Sequence, residues 1–391
     1  MTQYDVIVIG GGAAGMMCAV EAGKRGRRVL VIEHAEKVGK KILISGGGRC
    51  NFTNLNAEPE KFLSQNPHFS VSALTRYTQH DFIDLVKKHR IRYHDKHLGQ
   101  LFCDTASSEI VQMLLADCAA VGVELRVECK VERIDRRDGY AVETSMGRFE
   151  GESLVIATGG PSIPKMGATG FAYDVARQFG LRVTETRPAL VPFTLHPKDL
   201  DVFGKLSGVS FMATATCDGV TWRESVLFTH RGLSGPAVLQ ISSHWREGKQ
   251  VVIDMLPDLD LRDHLGRMKA ARPKAELKTL MAELLPKRIA ETMCDVYLEN
   301  RQIGQASNRE LDSAAAAFKQ WTLTPAGTEG YRTAEVTLGG VDTAELSSKT
   351  MEARKVPGLF FVGECVDVTG PLGGYNFQWA WSSGWVAGQS V

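Results

Sequence analysis

The sequence predicts an α/β protein whose doubly wound, Rossmann-like domain is interrupted by a β domain and a helical subdomain. Three observations lead there. The N-terminal region reads strand, glycine turn, helix, strand; alternating β-branched segments take over after about residue 187; strand and glycine-turn character returns over the last ~60 residues.

Length and composition set the frame. At ~100–200 residues per domain, 391 residues imply two or three domains. With 43% hydrophobic and 23% charged residues, and 46 basic against 45 acidic side chains, the composition is that of an ordinary globular protein. The 39 glycines cluster at 10–12, 46–48, 159–160 and 373–374, a pattern expected where backbone is pressed against a ligand. Eight cysteines include no Cys-x-x-Cys pair and no zinc-finger spacing, so reduced thiols, a cytoplasmic location and no metal are expected. The N-terminus lacks a basic region and cleavage site, and no apolar stretch approaches ~18 residues; neither export nor a membrane partner is expected.

Residues 6–9 form an apolar strand, 13–23 a helix of small and apolar residues, and 28–33 a second strand. The turn between them is Gly10-Gly11-Gly12-Ala13-Ala14-Gly15. In such a turn Gly10 allows the sharp bend, Gly12 lets a pyrophosphate approach the backbone, and Gly15 lets helix pack on strand. The anion sits on the helix N-terminus. Glu33, followed by His34, ends the second strand, where a carboxylate accepts both hydroxyls of an adenosine ribose and repels a 2′-phosphate. This favours FAD or NAD over NADP.

Further along, 122–131 and 140–144 read as strands, and 153–157 as a buried parallel strand ending in Ala157-Thr158-Gly159-Gly160. Strands are expected at 209–217, 221–227 and 250–255, helices over 261–321, strands at 333–338 and 358–362, and a closing helix at 375–389. The expected organisation is therefore a dinucleotide-binding domain from 1–187 and 333–391, a β domain from 188–260 and 321–332, and a helical subdomain at 261–320.

Six motifs occur in one order: 10–15; Gly39 through Asn54 with Lys41, Gly47, Gly48, Arg49, Cys50 and Asn51; 157–160; 227–236 around His230; 337–341; and Gly363-Glu364 with Gly373-Gly374-Tyr375-Asn376. In these the chain resembles two-dinucleotide-binding-motif flavoproteins, and more narrowly the bacterial YhiN-type (aminoacetone-oxidase-like, BaiN-like) FAD flavoproteins, from about residue 4 to 388. The resemblance implies FAD held by 10–15 and Glu33, adenine near Val131, and a pyrophosphate-to-ribityl course along Lys41 and 47–51, with Arg49 and Lys41 offsetting phosphate charge. It also places Glu364 where the superfamily commonly has aspartate, and the start of the final helix, through Phe377, at the flavin edge. The loop at Thr169-Gly170-Phe171-Ala172 departs from the usual Asp-Gly. With one complete G-x-G-x-x-G, no separate nicotinamide domain is evident, so NAD(P)H is expected as a transient small-molecule donor.

Catalytic candidates are titratable groups in loops. His230 can exchange protons near neutrality, the alternative being a loop-tying histidine. Cys103 is a proton donor or a packed, inert thiol, and Arg332 contacts an anionic or carbonyl substrate or is solvated. Basic residues dominate 85–97 (Lys87, Lys88, Arg90, Arg92, Lys96 against Asp95) and 261–290, where eight face three acidic ones; such faces suit a polyanion or are simply solvated. The resemblance is closest to the branch linked to dihydrouridine formation in large-subunit ribosomal RNA, and both segments are candidate contacts for that RNA. Two other readings stand beside it: a small-molecule flavoenzyme (enone reductase or amine oxidase), and an RNA-binding or assembly protein that keeps FAD without turnover.

Overall fold

Thr2–Ile9 lies inside a seven-stranded sheet because it is flanked in parallel register by Val29–Ile32 and by Gly147–Ile156, Val8 facing both Val31 and Val155. The computed structural model describes residues 2–391 and divides the chain into two units: one running to Arg187 and resuming at Val336–Val391, the other Pro188–Glu335.

In the first unit, Glu124–Arg126 extends the parallel sheet beyond Val29–Ile32, and Leu359–Phe361 joins the C-terminal half of Gly147–Ile156. Val6, Ile7, Val8, Leu154, Val155 and Ile156 are 0% exposed. A parallel sheet covered on both faces needs such unbroken apolar runs. Tyr140–Thr144 and Val131–Arg136 continue the other side as antiparallel strands. The single strand expected at 122–131 is therefore two. Their positions at opposite edges force the chain to turn at 127–130, where Glu128 takes a φ of 52°.

The closing helix, Tyr375–Gly388, is buried on nearly every side, with Trp381 0% and Trp379 1% exposed. Its buried Gln378 is satisfied by Thr53 Oγ1 (2.7 Å), Ser382 Oγ (3.0 Å) and the Tyr77 carbonyl (3.2 Å), as a polar side chain in a core must be. Gly384 and Gly388 bring it against Ala13–Lys24: a Cβ on Gly384 would lie 2.4 Å from the Ala14 carbonyl oxygen. A three-stranded antiparallel sheet, Asn51–Asn54, Gln100–Cys103 and Tyr93–Asp95, was not visible in the sequence pattern.

The second unit is an antiparallel sheet of seven strands. Its order is Trp321–Leu323, Val251–Asp254, Ser210–Cys217, Val220–Phe228, Gly232–Ser234, Phe193–Thr194, Gly327–Thr328. Helices Leu261–Ala271, Leu277–Ala282, Lys287–Tyr297 and Asn308–Lys319 pack on it. Leu261, Leu280, Met293 and Phe318 share one apolar cluster with Phe228, Ile253 and Trp321, so the expected helical subdomain has no core of its own. Neither face would be buried without the other. The return to the first unit falls at Val336, not 333.

Among the described residues, no helix is long and apolar enough to cross a membrane.

Candidate functional site

Two glycines of the first turn are fixed by contact. A Cβ on Gly10, at φ 110°, would stand 2.5 Å from the Ala157 carbonyl oxygen, and one on Gly15 would stand 1.9 Å from that of Gly10. Gly12 is different: a Cβ there would meet nothing within 4 Å, so the space over it is open to a ligand. Helix Ala13–Lys24 starts behind Gly12 with no side-chain cap and no acidic residue in its first turn, so its free N–H groups and positive end face that space.

Glu33 is more committed than the sequence suggests. Its Oε2 accepts the Gly11 N–H (2.9 Å), and its Oε1 accepts the Ala35 N–H (2.9 Å) and lies 3.0 Å from His34 Nδ1. Burial alone would raise its pKa, but these hydrogen bonds outweigh it and hold the carboxyl below its usual range. The same bond raises the pKa of His34. With three of about four acceptor positions used, Glu33 has room for one ribose hydroxyl where two were expected.

The second loop follows the same logic. Gly46, Gly47 and Gly48 have φ of 57°, 68° and 86°; the Phe102 ring closes the space at Gly46, but nothing stands within 4 Å of a Cβ on Gly47 or Gly48. Arg49 is exposed and has no side-chain partner among the described residues, leaving it available to a phosphate. Lys41 is not similarly available. Its Nζ bonds Glu364 Oε2 (2.5 Å) and Ser162 Oγ (2.6 Å), while Glu364 Oε1 accepts from Ser162 Oγ (2.8 Å) and the Thr337 N–H (2.9 Å). Lys41 and Glu364 thus pair with each other where the resemblance sets them toward phosphate and ribityl. Cys50, fully buried with φ 47°, has a thiol that burial pushes up to about 12, and packs rather than reacts.

At the end of the Gly147–Ile156 strand, Ala157 donates its N–H to Ile9 (2.8 Å) and Gly159 turns at φ 70°. A Cβ on Gly160 would strike Thr337 Oγ1 at 2.6 Å. Among the described residues the buried hydroxyls of Thr158 and Thr337 have no hydrogen-bond partner. Each would cost roughly 1–3 kcal/mol if left so. Gly363, at φ 73°, sits 2.9 Å (as Cβ) from Ala14. Gly373 and Gly374 have φ of 107° and 97°; a Cβ on Gly373 would lie 3.0 Å from the Gln100 side chain, and one on Gly374 2.4 Å from the Thr53 carbonyl. Asn376 ties this turn into a ring, accepting from the Gly370 N–H (2.9 Å) and donating to the Gly370 carbonyl (2.8 Å). Tyr375 packs edge-on to Phe62, and Phe377 stacks on Trp381 at 5.7 Å. Asn51 is buried beside Gly374, and Val131 pairs with Thr144 at the start of its strand.

Open cradles at Gly12, Gly47 and Gly48, a free arginine and two orphaned hydroxyls fit a dinucleotide. Among the described residues no group of three or more His, Cys, Asp or Glu is arranged for a metal.

The catalytic candidates separate. Cys103 is 0% exposed in an apolar cluster with Phe52, Phe82 and Ile110, its thiol pushed up to about 12 by burial. That setting is the packed, inert thiol of the second alternative. His230 and Arg332 lie in the second unit, both exposed. The loop carrying His230 is closed by Thr229 N–H to the Gly232 carbonyl (2.8 Å) and by the Thr229 hydroxyl accepting from Gly232 N–H (3.0 Å). Glu329 bridges Arg231 (3.0 Å) and Arg332 (2.9 Å), joining the two segments. Arg231 and Glu329 were missed; isolated charged residues far apart in sequence carry no signal until the strands pair.

The two basic segments also differ. In 261–290, carboxylates pair with Arg262 (Asp312), Arg267 (Asp263), Arg272 (Glu283), Lys278 (Asp295) and Lys287 (Glu291), three of them lying outside the segment. The three outside carboxylates reduce its surplus, and Lys269, Lys274 and Arg288 have no carboxylate partner among the described residues. In 85–97 only Lys87 (Asp84), His89 (Asp117) and His94 (Asp104) have carboxylate partners among the described residues; Lys88, Arg90, Arg92, Lys96 and His97 are exposed without one.

A glycine-lined course of free amides at the carboxyl ends of parallel strands, with an acidic residue closing the second strand, defines an oxidoreductase of the FAD-binding Rossmann class. The chain belongs to the family described as the HI0933-like protein Rossmann domain, whose model matches residues 4–390. It is 52% identical to the ribosomal RNA dihydrouridine synthase of Escherichia coli K12 over 100% of this chain and 98% of that protein. It is 46% identical to the protein of the same name from Haemophilus influenzae, over 100% and 99%. The 3-dehydro-bile acid delta(4,6)-reductase of Clostridium scindens is 28% identical over 98% of each chain. Among solved structures, the 3-ketosteroid-delta4-(5alpha)-dehydrogenase of Rhodococcus jostii RHA1 shares the fold, with TM-score 0.51 and 14% identity over 99% of this chain and 97% of that one.

Proposed function

We propose that this protein is an FAD-dependent, NAD(P)H-driven reductase that converts uridine to dihydrouridine in large-subunit ribosomal RNA. The observation that carries the reading is identity of 52% across the whole chain with a ribosomal RNA dihydrouridine synthase. Under it the protein works in the cytoplasm.

Bound FAD would supply hydride transfer. The residues to hold it are Gly10, Gly12, Ala13, Ala14 and Gly15 for the pyrophosphate, Glu33 and His34 for the ribose end, and 47–51 with Arg49 along the phosphates. Val131 would border the adenine, the hydroxyls of Thr158 and Thr337 would take their missing partners from the cofactor, and the Gly373-to-Phe377 turn would present amides to the ring edge. Uracil's C5=C6 bond is conjugated to the C4 carbonyl, so hydride addition at C6 builds negative charge toward O4 and leaves C5 to be protonated. His230, exposed and in a loop braced by Thr229, is the residue to hold that proton. Arg332, with Arg231 through Glu329, is the residue pair to steady a carbonyl oxygen.

Mass spectrometry of ribosomal RNA from cells lacking the protein tests the reading. Loss of one dihydrouridine, restored by the wild-type gene and restored ~10²-fold more slowly by His230→Ala, is expected. An unchanged dihydrouridine content contradicts it. A second reading, reduction of a small enone, is favoured by the full-length similarity to the bile-acid reductase, because both substrates present a C=C bond conjugated to a carbonyl. Steroid enone turnover with no effect on RNA supports that reading instead.

A further inference from the structure

The hairpin between Tyr93–Asp95 and Gln100–Cys103 ends in an exposed apolar residue that burial does not explain. Leu98 is 51% exposed and adopts φ 53°, a left-handed conformation that a leucine rarely takes unless surrounding structure imposes it. What imposes it is plain. The Leu98 carbonyl accepts from both Asn54 Nδ2 and Asn56 Nδ2 (3.3 Å each), the Leu55 N–H donates to the Gly99 carbonyl (2.8 Å), and the Gln100 N–H donates to that of His97 (3.0 Å). Asn54 Nδ2 also donates to the Gly373 carbonyl (2.8 Å), in the turn assigned to the flavin edge. One side chain thus ties the hairpin tip to the reactive end of the cofactor site. Phe102, which closes the space at Gly46, carries Lys96 over its ring at 5.1 Å and His94 stacked at 6.2 Å. Beside the tip stand Lys96 and His97, exposed and without carboxylate partners among the described residues, together with the exposed Asp95. Arg92, likewise exposed and without such a partner, stands at the base of the hairpin, where its carbonyl accepts from the Asp104 N–H (2.9 Å), and a second half-exposed leucine, Leu55 (38%), adjoins Gly99.

We propose that Leu98 is an unstacking wedge for RNA: Lys96 beside it and Arg92 at the base of the hairpin hold the phosphates, and its side chain enters the base stack beside the target uridine and fills the gap left when that base is extruded. An apolar tip on a hairpin that carries Lys96 and Arg92 matches a nucleic-acid stack, which offers apolar base faces between charged backbones. The hairpin is held stiff so that the wedge keeps its distance from the site. This inference rests on the RNA-reductase reading above.

The test uses the flavin-loaded protein and a folded fragment of ribosomal RNA that contains the modified uridine, with 2-aminopurine beside it. Saturating wild-type protein raises the 2-aminopurine fluorescence; Leu98→Ser does not, and Leu98→Met does. Correspondingly, Leu98→Ser lowers the ratio of kcat/KM on the folded fragment to kcat/KM on a single-stranded oligonucleotide by about 10-fold or more. Lys96→Gln instead weakens binding to both RNAs and flattens its salt dependence. A Leu98→Ser protein with wild-type fluorescence change, or with equal losses on both RNAs, overturns the wedge while the substrate reading survives. Wild-type protein that neither binds nor modifies the fragment overturns both.

Discussion

Gly12 and Gly15 stand three residues apart and are glycine for different reasons. Gly15 has no room for a Cβ in the protein itself, whereas Gly12 has room that only a ligand would use. Gly15→Ala should therefore destabilise the protein with or without flavin, by about 1–3 kcal/mol or more. Gly12→Ala should leave flavin-free thermal unfolding unchanged and weaken FAD binding about 10-fold; equal effects of the two on the flavin-free protein would refute the distinction. Glu33 offers a pH signature. Because its pKa is lowered, its stabilisation is present above the ordinary carboxylate range and lost as pH falls through the lowered value; the raised pKa of His34 contributes below the ordinary imidazole value and is lost as pH rises through the raised one. Glu33→Gln should cost about 1–2 kcal/mol near pH 6, less toward acid and somewhat less toward alkali, in denaturant melts across pH. A cost independent of pH would place Glu33 outside this network. Cys103 was legible as a residue but not in its environment: no sequence pattern announces that a cysteine on a short strand faces an apolar cluster.

At the scale of elements, the legible parts were those whose pattern is local. The βαβ unit, the buried strand ending at Ile156 and the closing helix follow from apolar period and glycine position; their C-terminal ends fall within one residue of expectation, while the first strand begins four residues and the buried strand six residues earlier than expected. The three-stranded sheet around Gln100–Cys103 was illegible because its strands run three to four residues and Asn51–Asn54 pairs with Gln100–Cys103 across 46 to 51 positions of sequence. Pairing of that range depends on tertiary context. The contact between Ala13–Lys24 and Tyr375–Gly388 was half legible: glycines at 384 and 388 could be seen, but not the helix they admit. Gly384→Ala should cost about 1–3 kcal/mol, read from the urea midpoint, because the added methyl meets the Ala14 carbonyl and not a movable side chain. A neutral result would mean that the two helices lie farther apart than 2.4 Å of clearance implies.

For the whole molecule, the second unit is one contiguous stretch with its own sheet and apolar cluster. Residues 188–335 expressed alone should unfold in one cooperative transition with native-like secondary structure; a non-cooperative melt would show that its core is not self-sufficient. Sequence composition marked where this unit begins, since Pro188 opens a run of different character, but divided it into sheet and helices that the structure joins. Charge told a similar story. Window counts found a basic surplus in 261–290 that three carboxylates from outside the window reduce, leaving Lys269, Lys274 and Arg288 without a carboxylate partner among the described residues; in 85–97 Lys88, Arg90, Arg92 and Lys96 have none. Net local charge is visible in sequence; its compensation is not.

The central claim, that a flavin in the first unit reduces a uracil of RNA, meets its most direct test in an anaerobic experiment. The FAD-loaded protein is bleached with one equivalent of NADPH or NADH, then mixed with ribosomal RNA from cells lacking the protein. Return of the oxidised flavin spectrum, with one dihydrouridine formed per flavin reoxidised, is the predicted result. A flavin that stays bleached with that RNA, yet recovers its colour with a small enone, would contradict the account.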